Sequence, residues 1–222
     1  MKKKTENVDG EEVAGSAVLL PLLERLVEGA VSSELQTLPT PQLNRPLTQP
    51  SPTRGEGFSL DTATPDDFAA VKEIFLHVVD EGETYSYERA ELADQWIRDY
   101  WLKNVVTTLV AKVDGKVAGV CAIRVNRTGR GNHIANASYI VHHEHRGIGI
   151  GHALGRASLQ AAKDKGFKAM QFNYVVSTNV KAVSLWQSLG FKIIGTMPQG
   201  YRHSRHGLVD VYMMHCFLED RA

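Results

Sequence analysis

From Phe58 onward the apolar and polar positions follow periods that assign elements. FSLDTA reads as a short strand. Thr64, Pro65, Asp66 and Asp67 read as a helix start, with threonine as cap and proline at the first helical position. FAAVKEIFLHVV continues that helix, EGETYSYE interrupts it, and ERAELADQWIRDYWL predicts a second one. VVTTLVAKV and KVAGVCAIRV flank Asp114-Gly115, the strongest short-range hairpin signal in the chain. ANASYIV is a further strand, and it runs into HRGIGIGHAL. IGHALGRASLQAAKDKG is a helix stopped by Gly166. KAMQFNYVV is a strand, NVKAVSLWQSLG a helix ending at Gly190, and FKIIGTM and LVDVYMMHCFL the last two strands. The order is strand, two helices, three strands, helix, strand, helix, two strands. That order predicts an α/β protein with a mixed sheet.

The pattern fails before Phe58. All 17 aromatic residues lie at Phe58 or later, and five of the eight prolines fall between residues 39 and 52. Such a segment cannot bury enough surface to offset its ordering entropy. Residues 1–56 are therefore expected to be a disordered, proline-rich tail, and residues 57–222 one domain. Leu19, Leu20, Leu22, Leu23 and Leu26 could form one side of a marginal helix near residues 16–30. MKKK is followed by acids where a signal peptide would turn apolar. AVLLPLLERLV, broken by Pro21, Glu24 and Arg25, is too short to cross a bilayer. These features predict a cytoplasmic protein with no membrane partner.

Charge narrows the partners. With 25 basic and 25 acidic residues the formal net charge is zero, which argues against nucleic acid. Cys121 and Cys216 have neither metal nor redox spacing.

The run Arg146-Gly147-Ile148-Gly149-Ile150-Gly151 is the main chemical signal. Glycines let an anion approach the backbone, and the helix that follows offers unpaired N–H groups and a positive dipole end. Arg146 adds a charge-assisted contact. The alternative is a glycine turn that packs a helix closely on a strand. A dinucleotide fingerprint follows the first strand and has an acid about 20 residues on; neither holds here. The Gly-Lys-Ser/Thr of a P-loop is absent.

"YIVHHEHRGIGIGHAL" followed by "NYVVSTNVKAVSLWQSLGFKIIG" resembles the GNAT superfamily of acetyl-coenzyme A-dependent N-acetyltransferases. R-x-x-G-x-G matches at Arg146, Gly149 and Gly151. Asparagine, alanine, an aromatic and Leu-Gly-Phe match at Asn179, Ala182, Trp186 and Leu189-Gly190-Phe191. The resemblance covers roughly residues 57 to 220. It implies a GNAT fold: a mixed, mostly antiparallel sheet of about seven strands, with strands 4 and 5 splayed, and four helices. It further implies acetyl-CoA as co-substrate, with no metal. Ile140 and Val141 would offer backbone to pantetheine. Gly147, Ile148, Gly149, Gly151 and His152 would cradle the pyrophosphate with Arg146, and Asn179 would contact the coenzyme. Family members often form homodimers.

Where many members carry a tyrosine acid, this chain has Trp186, whose indole N–H is a poor acid. "EGETY", "NASYIV", "FNYVVSTN" followed by "LW", and "GTMP" resemble a branch lacking that tyrosine, the fungal L-azetidine-2-carboxylate acetyltransferases. That resemblance makes Asn136 and Asn173 the catalytic candidates, binding the acceptor and polarising the carbonyl; otherwise they satisfy strand-edge backbone. Glu83 and Tyr85 lie where the family forms its acceptor pocket, Glu83 binding the amine or else being a solvated turn acid, and Tyr201 and His203 from QGYRHSRHG could line that pocket from the other side. Trp96, Tyr100 and Trp101 read as core. His142, His143 and His145 around Glu144 do not converge on a metal if the chain there is extended. The expected activity is direct acetyl transfer, in a ternary complex, to the amine of a small molecule such as an amino acid or analogue. The alternatives are acetylation of protein amino termini or lysines, and a coenzyme A sensor without turnover.

Overall fold

The computed structural model describes residues 57–218. The expected tail and the leucine helix near residues 16–30 lie outside the described residues. Seven strands form one sheet: β1 (Ser59–Thr62), β2 (Thr107–Val113), β3 (Lys116–Val125), β4 (Ile134–Val141), β5 (Ala169–Val176), β6 (Lys192–His203) and β7 (Gly207–Phe217). Four α-helices connect them: α1 (Phe68–Glu81), α2 (Asp94–Arg98), α3 (Ile150–Asp164) and α4 (Val180–Ser188). The sheet order is β1-β2-β3-β4-β5-β7-β6, and the β4–β5 pairing is parallel while its neighbours are antiparallel.

Both sheet faces are covered, which explains why β2 and β3 read as nearly continuous apolar runs. Val110, Val120, Ala122 and Ile140 pack against Val71, Phe75 and Val78 of α1 and Ile97 of α2. Leu109, Ala111, Cys121, Ile123, Ala135 and Ala137 face Ile150 and Leu154 of α3 and Trp186 of α4. α3 crosses β3 at Gly119, where a Cβ would lie 2.5 Å from Ile150 Cγ2. A side chain there would push the helix off the sheet. No helix among the described residues is long and apolar enough to cross a membrane.

Two elements differ from expectation. The second helix is shorter: Leu92 and Ala93 are extended, α2 begins at Asp94, and a π turn over Asp99–Lys103 completes it. The π turn carries Trp101 into the core, fully buried, while the Tyr100 hydroxyl reaches Ser138 on β4, 2.7 Å away. β6 is longer than FKIIGTM, continuing through Pro198 to His203. Its pairing with β7 shifts register between Met197 and Tyr201, so Pro198 sits where the ladder needs no N–H.

Asp67 closes the start of α1. Its carboxylate accepts the Thr64 backbone N–H (2.8 Å) and hydroxyl (3.1 Å), and pairs with Lys112 of β2 at 2.8 Å. Burial pushes this carboxyl up, but the Lys112 ammonium and the Thr64 donors outweigh it and hold it below its ordinary value. A depressed folded pKa stabilises the protein above the ordinary carboxylate range, and this is lost as pH falls through the folded value. Asp67→Asn should cost about 1–3 kcal/mol at neutral pH, read by denaturant unfolding, with the deficit shrinking in acid.

Candidate active site

β4 and β5 pair only at Ile134–Ala169 and Ala135–Met170. From Asn136 onward the two strands separate, and a wedge opens between them. Two bonds determine which residues of β4 face it. Asn126 N–H donates to Ile134 O (2.9 Å), and His142 N–H donates to Ala118 O (2.8 Å). By antiparallel alternation Asn136, Ser138 and Ile140 turn their backbone toward β3, while Ala137, Tyr139 and Val141 turn theirs toward the wedge. Val141 thus presents backbone to the opening, whereas the backbone of Ile140 pairs with Val120 and its side chain is core.

The glycine run lies beyond this end of β4. Gly147 and Gly149 have φ of 86° and 97°, with open space around both, and Gly149 caps α3. The first bond of the helix runs from Ala153 N–H to Gly149 O, so Ile150, Gly151 and His152 direct unpaired N–H groups out of its end. Ile150 is buried and anchors the turn; Ile148 is exposed. Free donors at a helix end, reached past two glycines with open space where a Cβ would be, suit a pyrophosphate. Arg146 is held at its edge by two 2.8 Å contacts to Glu81, at the end of α1.

Asn179 caps α4: its Oδ1 accepts Ala182 N–H at 3.1 Å, and its Nδ2 points to Thr84 Oγ1 at 3.5 Å. Its helix-capping role is therefore visible directly, and its amide faces the segment between α1 and α2. Asn173 falls in the irregular pairing of β5 with β7. Its Nδ2 donates to Asn126 Oδ1 (2.6 Å), and its Oδ1 accepts from Gln171 (2.9 Å). The Oδ1 of Asn136 accepts the Ala137 N–H at 2.8 Å, one of the groups aimed at the wedge. This fixes the amide with Nδ2 as the remaining donor.

The four acceptor-site candidates form one rim. The Tyr85 hydroxyl donates to Tyr139 O across the mouth of the wedge (2.9 Å), and the Tyr201 hydroxyl donates to Tyr85 O (3.2 Å). Glu83 is ion-paired with Arg205, in the β6–β7 turn. The same turn is tied to α1 by Ser204 N–H on Gly82 O (3.0 Å). His203 is buried, with Nδ1 accepting Arg205 N–H at 3.0 Å. Burial pushes the hydroxyls of Tyr85 and Tyr201 up, so both are neutral donors and not bases.

Trp186 packs in the core, its ring centroid 4.5 Å from that of Tyr139. The Tyr139 hydroxyl points away from the wedge, 2.6 Å from Ser158 Oγ, and burial pushes it up as well. The Cys121 thiol is fully buried and, chiefly through that burial, raised to about 12. The histidines after β4 differ from the extended arrangement expected. They form a 3-10 turn whose rings stack, His142 on His143 at 4.5 Å and His143 on His77 of α1 at 4.2 Å. Among the described residues no group of three His, Cys, Asp or Glu side chains is placed to hold a metal ion.

The structure adds a residue that the sequence motifs do not single out. Arg124 of β3 donates to Ser138 Oγ (2.7 Å) and Tyr100 O (2.6 Å), and lies over the Tyr100 ring. It stands directly across from Asn136. Its one sequence signal is a charge ending a buried run, in phase with Val120 and Ala122.

Comparisons with known proteins agree with this geometry. A GCN5-related N-acetyltransferase from Kribbella flavida is 41% identical, with a TM-score of 0.69 over 72% of this chain and 97% of that one. The Salmonella typhimurium protein yncA, solved with its cofactor acetyl-CoA, is 25% identical, with a TM-score of 0.62 over 74% and 96% of the two chains. The L-amino acid N-acyltransferase MnaT of Escherichia coli is 29% identical over 168 residues, 74% of this chain and 96% of that protein. Against the N-acetyltransferases aca1 of Schizosaccharomyces pombe and 8B of Homo sapiens, the match spans only 51% and 31% of their length. The model of the acetyltransferase (GNAT) family matches residues 71–191, more than half of the sequence. The chain belongs to the acetyltransferase (GNAT) family.

Proposed function

We propose that the protein transfers the acetyl group of acetyl-CoA directly to the amine of a small molecule, an amino acid or analogue. One observation carries this reading: a single wedge meets the glycine-lined helix end on one side and Asn136 on the other. A thioester lying in the wedge would have its pyrophosphate at Gly147 to His152 and its carbonyl near the amides of Asn136 and Asn173. Acetyl-CoA supplies an activated acyl group on a thiol of pKa about 8.5, which leaves without a dedicated acid. The Asn136 Nδ2 would donate to the oxygen that gains charge as the amine attacks, in a site where a fixed donor needs no reorganisation. The buried, neutral Cys121 is a poor acyl carrier, which favours direct attack over a covalent intermediate. The rim of Tyr85, Tyr201 and Arg205 over the mouth favours a small acceptor over a peptide.

The resemblance to azetidine-2-carboxylate acetyltransferases assigns Asn136 and Asn173 to acceptor and carbonyl, and the chain's similarity to an L-amino acid N-acyltransferase supports the same acceptor class. The test is incubation with isotope-labelled acetyl-CoA and two matched panels, free amines and amino acids against peptides. Mass spectrometry should find label on the first panel; label confined to peptide amino termini or lysines contradicts the reading. A second reading, coenzyme A binding without turnover, draws on Trp186, which is packed in the core in the position of the usual acid.

A further inference from the structure

Near the end of β3 stands Arg124, a cation with no counter-ion among the described residues. Arg124 lies on the same sheet face as Val120 and Ala122, beneath α1 and α2, with Asn136 as its cross-strand partner. Two of its five N–H groups are used, on Ser138 Oγ and Tyr100 O, and its Cζ sits 4.3 Å from the Tyr100 ring centroid. Three N–H groups have no partner among the described residues. Ion pairs among the described residues engage Lys72, Arg89, Lys103, Lys112, Arg146 and Arg205, but none engages Arg124. Tyr85, Tyr87 and Cys121 feel its charge, and burial pushes all three up, so they offer it no negative charge. A half-buried guanidinium among neutral groups is costly to keep unless an anion arrives from outside.

We propose that Arg124 is the specificity residue of the acceptor site, its guanidinium receiving the carboxylate of a compact amino acid whose amine lies beside Asn136. This rests on the small-amine reading above and narrows it. The side chain is preorganised for that role, because two hydrogen bonds and the Tyr100 ring hold the planar fork in one orientation. A fixed fork suits two-pronged carboxylate binding. Arg124 and Asn136 are directly opposite on antiparallel strands, so both side chains leave one sheet face with Cβ atoms about 5 Å apart, and the bond to Ser138 Oγ sets the guanidinium one same-face position along β4 from Asn136. The charge has a second consequence. A cation near the amine disfavours the ammonium form, raising the share of neutral amine available to attack.

The test is a panel of the twenty L-amino acids, each paired with its carboxamide, followed by thiol release with the full chain. The protein should favour acids over their amides by about 10- to 100-fold in kcat/KM, the scale of a charge-assisted two-pronged bond. In Arg124→Met that ratio should fall to about one, with coenzyme affinity unchanged; Arg124→Lys should retain part of it. The wild-type ratio needs no variant, so a folding defect in Arg124→Met does not remove the test. Amides equal to acids in the wild type, or a ratio that survives in Arg124→Met, would overturn the assignment while leaving acetyl transfer intact. Coenzyme binding with no acceptor turned over would instead sink the transfer reading, and this assignment with it.

Discussion

Gly149→Glu should abolish coenzyme binding while the protein still folds. Gly149 caps α3 at φ 97° with open space where a side chain would go, so the new carboxylate meets no steric obstacle. It would sit among the free N–H groups of Ile150, Gly151 and His152, taking the place of a phosphate and repelling one. A like charge at that distance, in a partly desolvated site, is worth about 3 kcal/mol or more, at least a 100-fold loss of affinity. Left-handed backbone at a non-glycine residue costs about 1–2 kcal/mol of stability, a lowered but cooperative melt. Calorimetric titration with coenzyme A and a thermal melt separate the two effects. Unchanged affinity would remove the pyrophosphate from this loop.

Asn136→Ala should damage turnover and spare the coenzyme. The Ala137 N–H locks the Asn136 carboxamide and leaves Nδ2 as its free donor, beside the point where the strands part. Removing one fixed donor from a developing oxyanion typically costs about 100-fold or more in kcat. Asn173→Ala should cost less, about 10-fold, because its amide is already shared between Asn126 and Gln171. Steady-state kinetics beside coenzyme titration reads the contrast. If Asn136→Ala is fully active, the residue only satisfies the Ala137 backbone.

Local signals are legible wherever one residue type dictates local geometry. Asp114-Gly115 makes the β2–β3 hairpin, both with positive φ, and Gly166 and Gly190 end helices where the pattern stops. The glycine run reads as a candidate anion site because its requirement, backbone without Cβ atoms before a helix, is itself local. The second helix is shorter than its pattern for a tertiary reason. Leu92 and Ala93 are strong helix formers, yet the aromatic packing of Tyr87, Trp96 and Tyr100 around Phe75 takes precedence. Long-range placement is less legible. Which of Ile140 and Val141 faces the wedge depends on the pairing phase with β3, which no single strand's sequence contains. Glu83 reads as an acceptor ligand in sequence, but its Arg205 partner lies 122 residues away. Arg124 escapes notice because a charge at a strand end reads as solvated until Tyr100 and Ser138 are seen around it.

Direct transfer is tested most directly by initial rates of coenzyme A thiol release, with both acetyl-CoA and amine varied. The expected result is no release without acceptor, one thiol per N-acetyl product, and intersecting lines that mark a ternary complex. Thiol release without acceptor that leaves acetyl on the protein, or coenzyme binding with no release across the amine panel, would contradict it.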